Sequence, residues 1–282
     1  MTRVAINGIE LNVEARGRGE PLLLLHGFTG SAATWRDIAP AWDGWRTLAV
    51  DLIGHGDSDA PPDEQRYTME LCVAGLVALL DAMSIARTCV LGYSMGGRVA
   101  LHLAAAAPER VSALVLEGAS PGIDDAAERD ARVIADRATA DGIERNGVAA
   151  FIDRWEQVPL FASQKRLPDD VRANLRAQRL RNRKEGLANS LRGMGAGAQQ
   201  PLWSRLHALT MPSLLIAGED DIKYREMARA MASRMPSARV CIVPGAGHAA
   251  HLEQPAVFSE RVKEFLATCL RNSERLEPSS RP

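Results

Sequence analysis

The chain has 282 residues, of which 46% are hydrophobic, so it can bury a sizeable core in one large domain or two small ones. Its 34 Lys and Arg residues nearly balance its 35 Asp and Glu residues. The net charge of −1 gives no electrostatic reason to expect nucleic acid or an anionic membrane as a partner, so any recognition of anions must be local.

The N-terminal segment alternates apolar and polar residues around an Asn-Gly pair, in the sequence MTRVAINGIELNV. This pattern is typical of a β-hairpin and unlike a signal peptide. The most apolar run, 99–107, contains a histidine and is far shorter than the roughly 20 residues of a membrane-spanning helix. The cysteines are widely separated and form no CxxC pair, which favours reduced core residues over a metal site or a disulfide framework. We therefore expect a cytoplasmic protein without a metal.

Short apolar runs recur after the hairpin and predict β-strands. Several are almost continuously hydrophobic, as strands buried on both faces of a parallel sheet are, and helix-like stretches separate them. This order predicts a doubly wound, mostly parallel α/β sheet. The runs are 22–25, 46–50, 88–92, 112–118, 212–218 and 238–245.

The alternation of strands and helices is interrupted over 122–200, where Arg, Asp, Glu and Ala recur with helix-like spacing. We interpret this segment as a helical cap inserted between two parts of the α/β core, 1–121 and 201–272. A basic stretch in the cap, 172–184, contains no acidic residue and is more typical of a solvated helix face than of a binding surface. The polar residues 273–282 are expected to form a disordered tail.

The sequence GYSMG at 92–96 matches the G-x-S-x-G motif, with an apolar run before it and a helix-like stretch after it. In this context the motif predicts a sharp, strained turn that presents Ser94 as a nucleophile. The oxyanion hole is expected to combine the backbone N–H of Met95 with that of Phe28, in the loop that begins His-Gly-Phe. The Phe28 side chain can equally be a simple pocket wall.

Serine needs a histidine that accepts its proton and an acid that orients the histidine, and both are expected after later strands. The segment GEDDIK supplies Asp220 and Asp221. We prefer Asp221 on the spacing usual in this class of fold and interpret Asp220 as a solvated neighbour. The segment GAGH supplies His248, which chain order favours among the six histidines. The others are expected to be structural or, for His251, to line the pocket.

The motifs HGF, DLIGHGDS, GYSMGG, GEDD and GAGH, in this order, resemble those of the α/β-hydrolase superfamily over essentially the whole chain. Such motifs indicate the fold well and the reaction poorly. A narrower resemblance is to the 2-succinyl-6-hydroxy-2,4-cyclohexadiene-1-carboxylate synthases of menaquinone biosynthesis. It rests on GYSMGGR, EGASPGI, RWEQVPLFAS, EGLANSLRGMGAGAQQPLW and GEDDIKY.

The narrower resemblance implies a lyase that eliminates pyruvate from 2-succinyl-5-enolpyruvyl-6-hydroxy-3-cyclohexene-1-carboxylate and needs no cofactor. The serine and the histidine would act as a base, and the oxyanion hole would stabilise the developing negative charge. The substrate would be small and anionic. This accounts for Arg98, one helical turn after Ser94, because a guanidinium binds a carboxylate bidentately.

Family positions carried over to this sequence also assign substrate binding to Tyr93, Arg132, Trp155 and an arginine of the basic stretch. For the last, Arg179 fits the spacing to GLANSL better than Arg181, and the choice stays open. Lys223 matches the family pattern as a possible pocket-lining residue. Each cap arginine can alternatively be an exposed helix residue.

The chief alternative function is hydrolysis of an ester or a C–C bond in a small carboxylate-bearing substrate, which uses the same three catalytic groups. A ligand-sensing receptor built on the same scaffold is a less favoured alternative. The sequence makes no prediction of the oligomeric state.

Overall fold

Eight strands form a mixed β-sheet in the computed structural model of the chain, which describes residues 2–276. The strands are β1 (Thr2–Ile6), β2 (Ile9–Arg16), β3 (Glu20–Leu25), β4 (Trp45–Val50), β5 (Thr88–Tyr93), β6 (Val111–Glu117), β7 (Ser213–Gly218) and β8 (Ala238–Val243). Their order is β1-β2-β4-β3-β5-β6-β7-β8. The pairs β1–β2 and β2–β4 are antiparallel, and the other pairs are parallel. The predicted doubly wound, mostly parallel sheet is confirmed.

The N-terminal hairpin follows from its turn residues. Asn7 and Gly8 have φ values of 45° and 75°, the left-handed conformation that a tight two-residue hairpin turn requires at both positions. Asparagine and glycine tolerate this conformation better than other residues. The strands on either side therefore pair antiparallel from Ile6–Ile9 outward.

Helices cover both faces of the sheet. They are α1 (Met69–Ala82), α2 (Met95–Ala106), α3 (Ala126–Trp155), α4 (Asp169–Leu180), α5 (Lys184–Met194), α6 (Ile222–Ala232), α7 (Ala250–Glu253) and α8 (Pro255–Leu276). The four leucines that end β3 show why its sequence is continuously apolar. Leu23 and Leu25 face a core cluster with α1 and α2, Leu22 and Leu24 face a second cluster with α8, and all four are fully buried.

The segment between β6 and β7 consists of helices α3 to α5 and a 3-10 segment, Pro159–Arg166. Helix α3 changes direction at Gly147, which has a φ of 80°. Ile143 and Ile152 of α3 pack with Leu187 of α5 in a separate apolar cluster, and all three are fully buried. These helices therefore have a small hydrophobic core of their own.

Polar contacts and a close backbone approach join these helices to the sheet. The Asn182 amide donates to the carbonyl of Thr29 over 2.8 Å and accepts from the N–H of Gly56 over 3.1 Å. Gly186 of α5 lies directly against Gly54, so that a Cβ on Gly186 would be 2.1 Å from the Gly54 carbonyl oxygen. The junction thus leaves no space for a side chain at residue 186.

The last helix is longer than expected. Residues 273–276, expected in a disordered tail, instead form the end of α8, because the segment has good helix formers and its first proline is Pro278. The rest of the expected tail, 277–282, lies outside the described residues. Within 2–276, no helix is long and apolar enough to cross a membrane. The same residues contain no cluster of three His, Cys, Asp or Glu side chains that could hold a metal ion.

The Gly54–Gly186 contact makes a prediction about stability. Gly186→Ala should lower the free energy of unfolding by about 1 to 3 kcal/mol, because the added methyl group overpacks the junction. Gly142→Ala is the control, since a Cβ there meets its nearest atom only at 4.0 Å, and removing glycine from helix α3 should stabilise by about 0.5 to 1 kcal/mol. Urea denaturation of both variants measures the difference. A Gly186→Ala variant as stable as the wild type would refute this account of the junction.

Candidate active site

Ser94 lies at a strained turn between β5 and α2. Its φ of 51° and ψ of −107° are unfavourable for a residue with a Cβ, and such a conformation costs about 1 to 3 kcal/mol. The neighbouring glycines make the turn possible. A Cβ on Gly92 would be 2.3 Å from the Gly96 carbonyl oxygen, and one on Gly96 would be 2.2 Å from the Leu25 carbonyl oxygen. The Ser94 N–H donates to the Glu117 carbonyl over 2.8 Å, which fixes the turn to the end of β6.

A chain of hydrogen bonds joins Ser94, His248 and Asp221. The Ser94 Oγ lies 3.1 Å from His248 Nε2, and His248 Nδ1 lies 2.7 Å from Asp221 Oδ2. The other Asp221 oxygen accepts the N–H of Tyr224 over 3.2 Å and caps α6. Asp220 instead is exposed and pairs with Arg166 over 2.5 Å. The structure therefore brings together the serine, histidine and acid that the sequence favoured.

The two backbone N–H groups expected at the oxyanion hole belong to segments on either side of Ser94. Met95 is the first residue of α2, where helix geometry leaves the N–H without a partner inside the helix. Phe28 lies in a turn closed by a 2.9 Å hydrogen bond from Gly30 N–H to the Gly27 carbonyl. A Cβ on Gly27 would be 3.5 Å from the Ser94 Cβ, so this turn directly adjoins the serine.

His26 and His55 are buried structural residues. His26 donates from Nδ1 to the Gly27 carbonyl over 2.8 Å and accepts at Nε2 from the Leu52 N–H over 3.0 Å, which requires a neutral ring. His55 Nδ1 donates to the Ile53 carbonyl over 3.1 Å. Burial lowers the pKa of His26 to about 4 and that of His55 to about 3. Both rings therefore support the Gly27–Phe28 turn as neutral groups.

A second acid–histidine pair lies beneath the serine. The Glu117 carboxylate accepts the backbone N–H of His251 over 2.9 Å, and its second oxygen lies 2.8 Å from His251 Nδ1. Both side chains are 1% exposed. The His251 ring also packs on the edge of Tyr93, with ring centroids 4.6 Å apart. Glu117 therefore holds the segment after His248 and, through its own carbonyl, the turn that carries Ser94.

Arg98 carries a largely buried guanidinium one turn after Ser94. Its Nη1 donates to the Met194 carbonyl over 2.8 Å and to Gln199 Oε1 over 2.9 Å. No carboxylate of residues 2–276 lies within ion-pair distance of it. Burial, with a smaller contribution from the charge of Arg132, lowers the pKa of Arg98 to about 10, which leaves it charged at neutral pH. The site thus contains a positive charge without a protein counter-ion.

The two arginines of the basic stretch between which the sequence did not decide have different surroundings in the structure. Arg179 is 5% exposed, although the stretch was expected to be a solvated face. Its guanidinium lies 5.3 Å from the Phe161 ring centroid and 3.3 Å from Glu156. Arg181 points outward, with a side chain that is 64% exposed, and pairs with Asp57. Burial favours Arg179, which lies within α4, whereas Arg181 directly follows the end of that helix and faces solvent.

The remaining predicted residues differ in their surroundings. Arg132 is half-exposed on α3 and bonds Asp136 over 2.8 Å. The Trp155 ring packs against Phe28 and Phe161, with centroids 5.6 Å and 5.4 Å away, and its buried Nε1 has no hydrogen-bond partner. Lys223 is exposed at the start of α6, with Nζ 5.9 Å from the Tyr224 ring.

Sequence reasoning did not assign four residues that contact the site. The Tyr224 ring lies 4.5 Å from the His248 ring, and its place one turn after Asp221 was a usable signal. Gln199 contacts Arg98, whereas Phe161 and Gln164 contact Arg179. These last three are distant along the chain from the residues that they touch, and no local pattern identifies them.

Comparisons with known proteins agree on one family. The model of the alpha/beta hydrolase fold matches residues 20–255. The chain is 45% identical to the putative 2-succinyl-6-hydroxy-2,4-cyclohexadiene-1-carboxylate synthase of Bacillus subtilis, over 90% of this chain and 93% of that protein. It also resembles the structure of MenH from S. aureus, with a TM-score of 0.88, 32% identity, and coverage of 92% of this chain and 98% of that one. A thermophilic esterase from Thermogutta terrifontis, solved with malate bound, matches with a TM-score of 0.84, 30% identity, and coverage of 95% and 99%.

The buried neutral histidines predict a dependence of stability on pH. The folded pKa of His55, about 3, lies below the unfolded value near 6.5, so the unfolded chain binds an extra proton between these values. The stabilisation is complete above about pH 6.5 and is lost as pH falls toward 3. From pH 7 to pH 5, His55 should account for a loss of about 2 kcal/mol in the free energy of unfolding.

Urea denaturation of the wild type and of His55→Gln at the two pH values measures this loss. The variant, whatever its absolute stability, should lose about 2 kcal/mol less than the wild type on acidification. The same loss in both proteins would show that His55 is not the titrating group.

Proposed function

We infer that this chain, which belongs to the α/β-hydrolase fold family and within it to the 2-succinyl-6-hydroxy-2,4-cyclohexadiene-1-carboxylate synthases, is a lyase. It eliminates pyruvate from 2-succinyl-5-enolpyruvyl-6-hydroxy-3-cyclohexene-1-carboxylate. One observation in the structure supports this function independently of the family similarity. Arg98, a charged arginine with no counter-ion among residues 2–276, lies one turn after a serine that is already hydrogen-bonded to His248.

The substrate's structure matches the charges around the serine. It has three carboxylates, one each on the succinyl group, the enolpyruvyl group and the ring. Arg98, Arg132 and Arg179 supply three guanidinium groups on the core and the segment above it. Arginine suits this role because its planar fork binds a carboxylate bidentately and keeps its charge when buried. We assign substrate binding to these arginines, with Tyr93 and Trp155 as neighbouring walls.

The reaction is a 1,4-elimination. The hydrogen on ring carbon 2 is acidic because that carbon adjoins both the succinyl ketone and the C3=C4 double bond. Ser94 Oγ takes this proton as its own passes to His248 Nε2. The C2–H electron pair forms C2=C3, the C3=C4 pair forms C4=C5, and the C5–O bond breaks. The leaving enolate of pyruvate recovers the proton, so no water is consumed and no acyl-enzyme forms.

The neighbouring groups stabilise the charges that develop. Removal of the C2 proton places negative charge on the succinyl ketone oxygen, where the N–H groups of Met95 and Phe28 can donate hydrogen bonds. Asp221 stabilises the imidazolium of His248 and fixes its tautomer. We propose further that 122–200 form a cap over core parts 1–121 and 201–272, and that the enzyme acts in the cytoplasm on this small anion, without nucleic acid.

The lyase assignment predicts the products of a single incubation. Purified protein with the proposed substrate should release one pyruvate per substrate and produce the ultraviolet absorbance of a conjugated diene. Ser94→Ala should lower kcat by several orders of magnitude, and adding His248→Ala should cost little more, because the two groups act as a unit. Coupled pyruvate assay and absorbance measure both. A double variant far slower than either single variant would refute the idea that Ser94 and His248 act together as one base.

Hydrolysis is the second candidate, favoured by the similarity to the thermophilic esterase. The same Ser94, His248 and Asp221 geometry can form an acyl-enzyme. A burst of product from a chromogenic ester, with no pyruvate from the cyclohexene substrate, would favour the hydrolase.

Arg98 tests whether the site recognises an anionic substrate, as the lyase function requires. If it binds a substrate carboxylate in a desolvated site, Arg98→Ala should weaken transition-state binding of the anionic substrate by about 2 to 5 kcal/mol. This loss is measured as a lower kcat/KM. Arg98→Lys should restore little, since it keeps the charge but loses the bidentate fork. Slow hydrolysis of a small neutral ester, measured in parallel, should hardly change. Equal losses on both substrates would mean that Arg98 only supports the fold through Met194 and Gln199.

A further inference from the structure

A cavity that opens to solvent lies beside Arg179. It has a volume of about 230 Å³ and lies between α4 and the 3-10 segment Pro159–Arg166. We call it the outer cavity. The charged side chains that line it are Lys165, Arg172, Arg176, Arg179 and Glu156.

Positive charge dominates the outer cavity. Four cationic side chains line it, against the single carboxylate of Glu156. Arg176 is neutralised by Glu156 and Asp153. Within residues 2–276, Arg172 pairs only with Asp169, whose side chain is 94% exposed. Among the described residues, no acid lies within ion-pair distance of Lys165. Cations in a concave site with low-dielectric walls concentrate anions from solution.

Four side chains separate the outer cavity from the interior of the site. The outer cavity and an inner cavity of about 30 Å³ are both lined by Phe161, Gln164, Leu175 and Arg179, and the other walls of the inner cavity include Tyr93 and Phe28. We call these four residues the partition. No covalent bond joins their side chains, and Arg179 contacts the Phe161 ring and Gln164 Oε1. Rotation of these side chains would connect the two cavities.

The partition also contains an unused hydrogen-bond donor. Gln164 is 7% exposed, its oxygen accepts from Arg179 Nη2 over 3.2 Å, and its buried Nε2 has no partner. A buried donor without a partner is destabilising, since it has lost its hydrogen bonds to water. A carboxylate at the partition would satisfy it, because a carboxylate accepts from an amide N–H and a guanidinium at once.

We propose that the outer cavity is an entry site for the substrate, which binds an alkyl carboxylate such as the succinyl arm before the substrate passes the partition. The proposal rests on the lyase function for the identity of the substrate, but not for the binding of a carboxylate. Lys165 and Arg172 attract the anion, and Gln164 and Arg179 receive its carboxylate. The basic stretch thus contributes to binding from both its buried and its exposed side chains.

The test compares two double variants with the same change in charge. Lys165→Glu/Arg172→Glu reverses charge in the outer cavity, and Lys263→Glu/Arg261→Glu reverses it on α8. Arg172 and Arg261 are well matched, since each side chain is 49% exposed and pairs with an acid three residues away. At low ionic strength the cavity variant should lose about tenfold in kcat/KM with kcat within about twofold, and the loss should shrink near about 0.5 M NaCl.

The α8 variant should keep its kcat/KM within about twofold. Equal losses in both variants would attribute the effect to net charge and overturn the entry site, as would an unchanged kcat/KM in the cavity variant. Calorimetric titration with succinate gives a second readout that needs no turnover, and affinity should fall about fivefold or more only in the cavity variant. If that fall occurs in a protein that releases no pyruvate, the carboxylate site stands and the lyase function fails. Unchanged succinate affinity in such a protein overturns both.

Discussion

The left-handed backbone of Ser94 is the constraint on which the site depends. The turn persists because three segments meet there without side chains between them, and because the Ser94 N–H bonds the Glu117 carbonyl. This geometry directs Oγ at His248 and starts helix α2 with Met95. The direction of α2 then determines where Arg98 lies. The placement of the Ser94 hydroxyl, the Met95 N–H and the Arg98 guanidinium therefore follows from one strained residue.

Burial leaves the histidines near this turn uncharged but leaves the nearby arginine charged. His26 and His55 are deprotonated by it, with pKa values lowered to about 4 and about 3, and they serve as neutral hydrogen-bonding supports. Arg98 also loses basicity on burial, but its pKa stays near 10 and its charge is kept. A lysine starts about two units lower and is neutralised more readily by the same desolvation. Arginine thus keeps its positive charge in a buried position where lysine would lose it more readily.

Local patterns in the sequence predicted what local geometry determines. The elbow around Ser94, the choice of Asp221 over Asp220 and the hairpin at Asn7 each depend on a few consecutive residues. The contacts of Gln164 and Gln199 depend on how the helices above the sheet dock, and no spacing reveals this. Arg179 and Arg181 stayed ambiguous for the same reason, since only packing distinguishes two arginines that lie two residues apart in the sequence. The end of α8 was misjudged because polar composition was given more weight than helix propensity.

Arg98 also joins the core to the helical segment 122–200. Both of its bonds to that segment, to Met194 and Gln199, use Nη1. Nε and Nη2 therefore remain for a bidentate carboxylate. A bound anion would hold the guanidinium in place and strengthen its two bonds to α5 and the loop after it, because hydrogen bonds polarise one another in a low dielectric. On the proposed function, binding of the substrate carboxylate by Arg98 would therefore also hold this segment against the core and exclude water from the site.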